Sequence, residues 1–101
     1  MKEAQPGEET LTWSELVYDG RTFIFSKALA IKVNGDKREW ELESEDLEIV
    51  AFGHTRSEAE SVFREMFAVR WDRIAMGDDH GLSGDARELK RKMLTLVKER
   101  Q

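Results

Sequence analysis

The chain has 101 residues, 37% charged and 40% hydrophobic, with no cysteine, a single proline and a formal net charge of −5. That length supports one core and excludes a two-domain enzyme with an interdomain cleft, and the lack of cysteine excludes disulfides, thiolate metal sites, iron–sulfur clusters and cysteine nucleophiles. The longest apolar runs, Ala28 to Ile31, Ile49 to Phe52 and Met66 to Val69, hold four residues, whereas a membrane helix needs about 20, and Met1 to Gly7 hold no signal-peptide core; cytoplasm is the expected compartment, with no membrane partner.

Residues 1–9 are polar and aperiodic and read as a disordered tail, leaving 10–101 as a single domain. Leu11 and Trp13 alternate with Thr10, Thr12 and Ser14, the phase changes at Glu15 to Tyr18, and Asp19-Gly20 supplies the positive φ of a two-residue hairpin. Thr22 to Ser26 and Ala28 to Val33 form one long bent strand or two. Asn34-Gly35 is a second hairpin signal. Beyond it Trp40, Leu42 and Ser44 alternate with Glu39, Glu41, Glu43 and Glu45, as in a strand with one wet face, and Leu47 to Phe52 gives a shorter strand ending at Gly53. Thr55-Arg56-Ser57-Glu58 fits a capping box, with the Glu58 carboxylate reaching back to the Thr55 N–H. It opens a long helix expected over about Arg56 to Met76. Val62, Met66, Ala59, Phe63, Ile74, Phe67 and Trp71 spread over about 180° of that helix, too wide for one sheet, so it meets a second surface, either the last helix or a partner. After the loop Gly77 to Gly84, Asp85 caps a last helix with the stripe Ala86, Leu89, Met93, Leu96 and Val97. The fold class is α+β: an antiparallel four- to five-stranded β-meander packed against a long helix, plus a C-terminal helix.

Catalytic chemistry has little to work with. The sequence contains neither a phosphate-binding glycine loop nor a nucleophile elbow. His80 beside Asp78 and Asp79, with His54 elsewhere, is the one hydrolase-like grouping, and adjacent residues seldom aim their side chains at one point. No catalytic residue, metal or cofactor is assigned, and a non-enzymatic role is expected. Charge is more informative. Residues 1–85 hold 10 Lys/Arg against 19 Asp/Glu, and residues 86–101 hold 6 against 2. The acidic body disfavours a nucleic-acid surface over the whole domain and suits a basic partner protein. Glu39, Glu41, Glu43 and Glu45, with Asp46 and Glu48, form a strip about 20 Å long that either steers such a partner, with Trp40 as anchor if exposed, or guards a sheet edge. The last helix either docks its stripe on the long helix or pairs with its copy in a homodimer. In the second case Arg87, Lys90, Arg91, Lys92 and Lys98 are left to contact nucleic acid, the alternative function for this chain. Without a helix-turn-helix, sequence-specific DNA readout is not expected.

Residues 43–59, and within them Asp46, Leu47, Gly53, Thr55, Glu58 and Ala59, resemble the signature of HicB-like antitoxins, in which a strand, an acidic-Leu turn and a second strand lead through Gly-x-Thr into a helix. With the hairpin near Asn34-Gly35 the similarity covers about residues 27–70. The resemblance implies a partial RNase H-like domain without nuclease activity that masks a small basic mRNA-cleaving toxin. The chain departs from that pattern in the strands before residue 27, in a helix where a strand commonly follows the first helix, and in having no separate DNA-binding domain.

Overall fold

Residues 8–101 are described by the computed structural model. The expected tail lies outside the described residues except for Glu8 and Glu9. These two belong to the first strand, and the Glu9 carboxylate holds Arg56 at 2.7 Å.

The fold is α+β. Five antiparallel strands, β1 (Glu8–Tyr18), β2 (Arg21–Gly35), β3 (Trp40–Ser44), β4 (Ile49–Gly53) and β5 (Val97–Arg100), make one sheet, and the helical segments are α1 (Arg56–Arg70) and α2 (Gly84–Leu96). Strand order is β1-β2-β3-β4, with β5 also pairing with β2. β1 and β2 join through Asp19 and Gly20, both at positive φ (51° and 76°), the geometry that matches the twist of a two-residue hairpin. Their register breaks between Trp13 and Glu15, where the phase change is legible in the sequence, and Phe25 to Ala28 on β2 stand against Ser14 alone. β2 is therefore one bent strand. Phe23, Phe25, Leu29, Ile31 and Val33 stay buried along it.

The second turn lies two residues beyond the expected Asn34-Gly35. Gly35 still belongs to β2 and pairs with Trp40; Asp36 N–H donates to Glu39 O at 3.0 Å, and Asp36 Oδ1 accepts from the N–H groups of Arg38 and Glu39. Gly35 is needed for space rather than for a turn, because a Cβ there would run into the Trp40 ring.

At the sheet-to-helix junction Thr55 Oγ1 accepts from Glu58 N–H at 3.0 Å, and Glu58 Oε1 accepts from His54 N–H, one residue before the expected Thr55. Gly53 abuts the first turn of α1 so closely that a Cβ would lie 2.5 Å from the Ala59 backbone nitrogen. The Gly-x-Thr spacing thus has a local cause: backbone contact at the glycine and capping at the threonine. α1 continues into a π-helical turn, Trp71–Ala75. α2 is capped by Ser83, two residues before the expected Asp85, through Oγ to Ala86 N–H at 3.2 Å. It packs against the π turn and β2, burying Leu89 and Met93. The last helix is thus one second surface for the long one. It leaves Met66, Val69 and Ile74 lining an open cavity of about 470 Å³ with Arg70 and Arg73.

The core sits on the helix side of the sheet. Phe67 is its hub, with ring centroids 5.1 Å from Phe23, 5.6 Å from Phe25 and 6.5 Å from Trp71. Phe63 meets Trp13 edge-on, and Arg64 lies over the outer side of the Trp13 ring system at 4.9 Å. Phe67→Ala is expected to cost about 3–5 kcal/mol through the lost ring contacts and the cavity left behind. Gly53→Ala is expected to cost about 1–3 kcal/mol because helix backbone must shift. Urea-unfolding midpoints measured with the unmodified slope check both.

Candidate functional site

The burial alternation gives the sheet one dry face and one wet face. On β3, Leu42 and Ser44 are buried and Trp40 is half-buried, packing at the margin of the core, while Glu41 and Glu43 face the other way. Trp40 therefore lies on the opposite side of the strand from Glu41 and Glu43. Cross-strand pairing fixes what shares the acidic face: Glu41 stands between Asn34 and Phe52, and Glu43 between Lys32 and Val50. Phe52 is 51% exposed and Val50 37%, and β4 pairs with β3 alone.

The remaining acids lie in the two turns that bound β3. Glu39 sits in the Asp36–Glu39 turn. Glu45, Asp46 and Glu48 occupy the turn between β3 and β4, all exposed. Ser44 Oγ there accepts from Leu47 N–H, and Glu48 N–H donates to Glu45 O. Glu48 adopts φ 55°, a left-handed conformation that costs a non-glycine residue about 1–2 kcal/mol. Part of the strip is neutralised: Lys32 Nζ lies 2.8 Å from Glu45 Oε1, which holds the Glu45 carboxyl below the usual carboxylate range. The site assembled by the fold is thus a ribbon of carboxylates along β3 and its turns, flanked on β4 by two exposed apolar side chains. Val50 and Phe52 were missed as site residues. Their signal was present in the sequence, since a strand that buries Ile49 and Ala51 must turn Val50 and Phe52 outward.

The basic residues expected to form one helical face are dispersed. Lys98 lies on β5 instead of the helix, because the helix ends at Leu96. Lys90 Nζ donates to Asp79 Oδ1 at 2.6 Å and to Gly77 O, and Arg87 donates to Asp79 O. Arg91 pairs with Glu88 on the helix surface. Lys92 is exposed beside it. Three of the five are thus engaged locally.

Asp78 Oδ1 caps the short turn by accepting from His80 N–H, so the Asp78-Asp79-His80 loop is organised by backbone capping and by Lys90. Among the described residues no group of three or more His, Asp or Glu side chains is arranged to hold a metal ion, and no helix is long and apolar enough to cross a membrane. Compared with protein-family models, with curated proteins and with solved structures, the chain gives no match.

The Lys90 contact, with Arg87 nearby, holds the Asp79 carboxyl below its ordinary range, and the turn N–H groups do the same for Asp36. Because these folded-state values lie below the unfolded ones, the unfolded chain takes up the proton first as pH falls. The stabilisation is therefore complete above the ordinary carboxylate range of about pH 4 and fades as pH drops through the lowered values. Asp79→Asn is expected to flatten the acid limb of the stability curve while leaving its slope near neutral pH unchanged, as read by thermal melts across pH.

Proposed function

We propose that this chain is a non-enzymatic protein-binding module, resembling a HicB-like antitoxin, whose acidic sheet face masks a small basic RNA-cleaving partner in the cytoplasm. The observation that carries the reading is the pairing of Glu41 with Phe52 and of Glu43 with Val50 on a face that the packed core leaves wet. A fully polar strip would serve solubility alone. Two exposed apolar side chains beside a row of carboxylates provide what an interface needs: a small area worth desolvating and a charged rim that selects the partner. Carboxylates on this face compete with RNA phosphates for the same lysines and arginines, so binding the partner and blocking its substrate become one event. Further support comes from the chain order over residues 27–70, in which a strand, a hairpin, two short strands and a capped helix follow one another as the resemblance anticipates. The nucleic-acid alternative, with its homodimer, has less to rest on, because Lys98 leaves the helix and Arg87 and Lys90 are tied to the preceding loop.

Co-expression with the small basic protein encoded by the neighbouring reading frame tests the reading. RNA integrity and growth are expected to be restored by the unmodified chain and lost with the double substitution Glu41→Lys and Glu43→Lys, whose side chains are not in the core. Phe52→Ala is expected to weaken the complex by about 1–3 kcal/mol with little change in melting temperature. Rescue that survives the charge reversal, or a neighbouring protein that leaves RNA intact, rejects the proposal.

A further inference from the structure

β2 is longer than the strands beside it. On the edge opposite β1 it is paired at both ends and bare in the middle: β3 reaches only to Lys32, and β5 only to Phe25. Residues 26–31 therefore have no strand partner on that edge among the described residues, leaving roughly 20 Å of edge at 3.3 Å per residue. Neither neighbour can grow to cover it. β5 begins at Val97, immediately after the last residue of α2, and β3 ends where the chain turns through Glu45 to Glu48.

The backbone phase of this edge follows from its ends. Thr22 exchanges both of its hydrogen bonds with Gln101, and on the β3 side Asp36 N–H bonds Glu39 O. Alternation in antiparallel pairing then directs the N–H and C=O groups of Ala28 and Ala30 into the bare stretch. Both alanines are exposed, and their small side chains leave the edge accessible.

The bare edge forms one wall of an open cavity of about 570 Å³, whose other walls are Asp46 and Leu47 from the β3–β4 turn and Arg91, Lys92 and Thr95 from α2. Ser26 Oγ donates to Thr95 O and Leu96 O, which pins the end of α2 to the rim. Charge here runs opposite to the rest of the body. Lys27, Arg91 and Lys92 face one carboxylate, Asp46, and neither Lys27 nor Lys92 takes part in an ion pair among the described residues.

We propose that this edge receives an extended acidic segment of a partner protein, which adds a short strand between β3 and β5 and places its carboxylates against Lys27, Arg91 and Lys92. Main-chain bonds to Ala28 and Ala30 supply the register, and the three cations supply the preference for acid. The site shares only Asp46 with the acidic ribbon and does not depend on the antitoxin reading.

The test uses the full chain, labelled with nitrogen-15, and a short capped peptide alternating glutamate and threonine. The amides of Ala28 and Ala30 are expected to shift and to gain protection from hydrogen exchange, with an affinity that falls as salt rises. Joint substitution Lys27→Glu and Lys92→Glu is expected to weaken binding about tenfold or more. A copy of the peptide N-methylated at alternate residues, used on the unmodified chain, should not bind, which keeps the test independent of how the variant folds. Equal binding of a lysine–threonine peptide, binding that leaves Ala28 and Ala30 unprotected, or no response at millimolar peptide overturns the proposal. So does protection that rises with protein concentration alone, which would assign the edge to a second copy of the chain.

Discussion

Everything in this molecule is referred to β2, a 15-residue strand that keeps Phe23, Phe25, Leu29, Ile31 and Val33 dry and turns only Lys27, at the bend, outward among its odd-numbered residues from 23 to 33. A strand of that length cannot be matched by a single neighbour of ordinary length on each side, since most strands run 5–6 residues or so. Only β1 follows it throughout, and does so by breaking register at Trp13. On the other edge two short strands from distant parts of the chain share it. The bend lets one continuous apolar face serve both halves: Phe23 and Phe25 meet Phe67 and the π turn, while Ile31 and Val33 continue the face towards β3.

With the helices on the dry side, the division of charge acquires a spatial meaning. The carboxylates of β3 and its turns lie on the wet face and around its margins. Many of the basic residues are instead committed to holding elements together: Arg56 to Glu9 across the helix start, Arg21 to Asp72 beside the hairpin, Lys90 to Asp79 beneath the α2 start. Exposed pairs of this kind add little stability individually. Each pair takes up one carboxylate with one cation, so the excess of acid behind the net charge of −5 stays among the unpaired carboxylates, Glu41 and Glu43 of β3 among them. At the bare edge of β2, next to a turn strained at Glu48, Lys27 and Lys92 stand without an ion pair among the described residues, beside Arg91, which is paired with Glu88.

Much of this was legible in the sequence because local chemistry and tertiary packing agreed. Asp19-Gly20, the alternation from Trp40 to Ser44, the helix start at Thr55 and the stripe containing Leu89 and Met93 each name an element and its buried side. Other features were illegible for physical reasons. Val97 to Arg100 carries three charged residues and no alternation, and it becomes a strand only because the Thr22 backbone and the core beneath Phe25 offer it partners. Asn34-Gly35 satisfies a turn rule, yet Trp40 requires the glycine for contact, and the turn passes to Asp36, whose carboxylate can cap two N–H groups. Within the candidate site the carboxylates were readable one by one. Which apolar residues accompany them depends on the pairing of β3 with β4, a property of two segments at once.

Trp71 has a use beyond packing. Its indole is 4% exposed, its Nε1–H has no partner in the described structure, and the Arg100 guanidinium lies 5.9 Å from the ring. An indole so placed emits from an apolar surrounding made by Phe23 and Phe67 with a cation poised at its face, and the cation is there only while β5 is docked on β2. Trp13 and Trp40 sit on other parts of the sheet, Trp13 beneath Arg64 and Trp40 against Gly35. The protein thus carries three indoles in three distinguishable environments, and the one at position 71 reports optically on whether the sheet is closed at its β5 end.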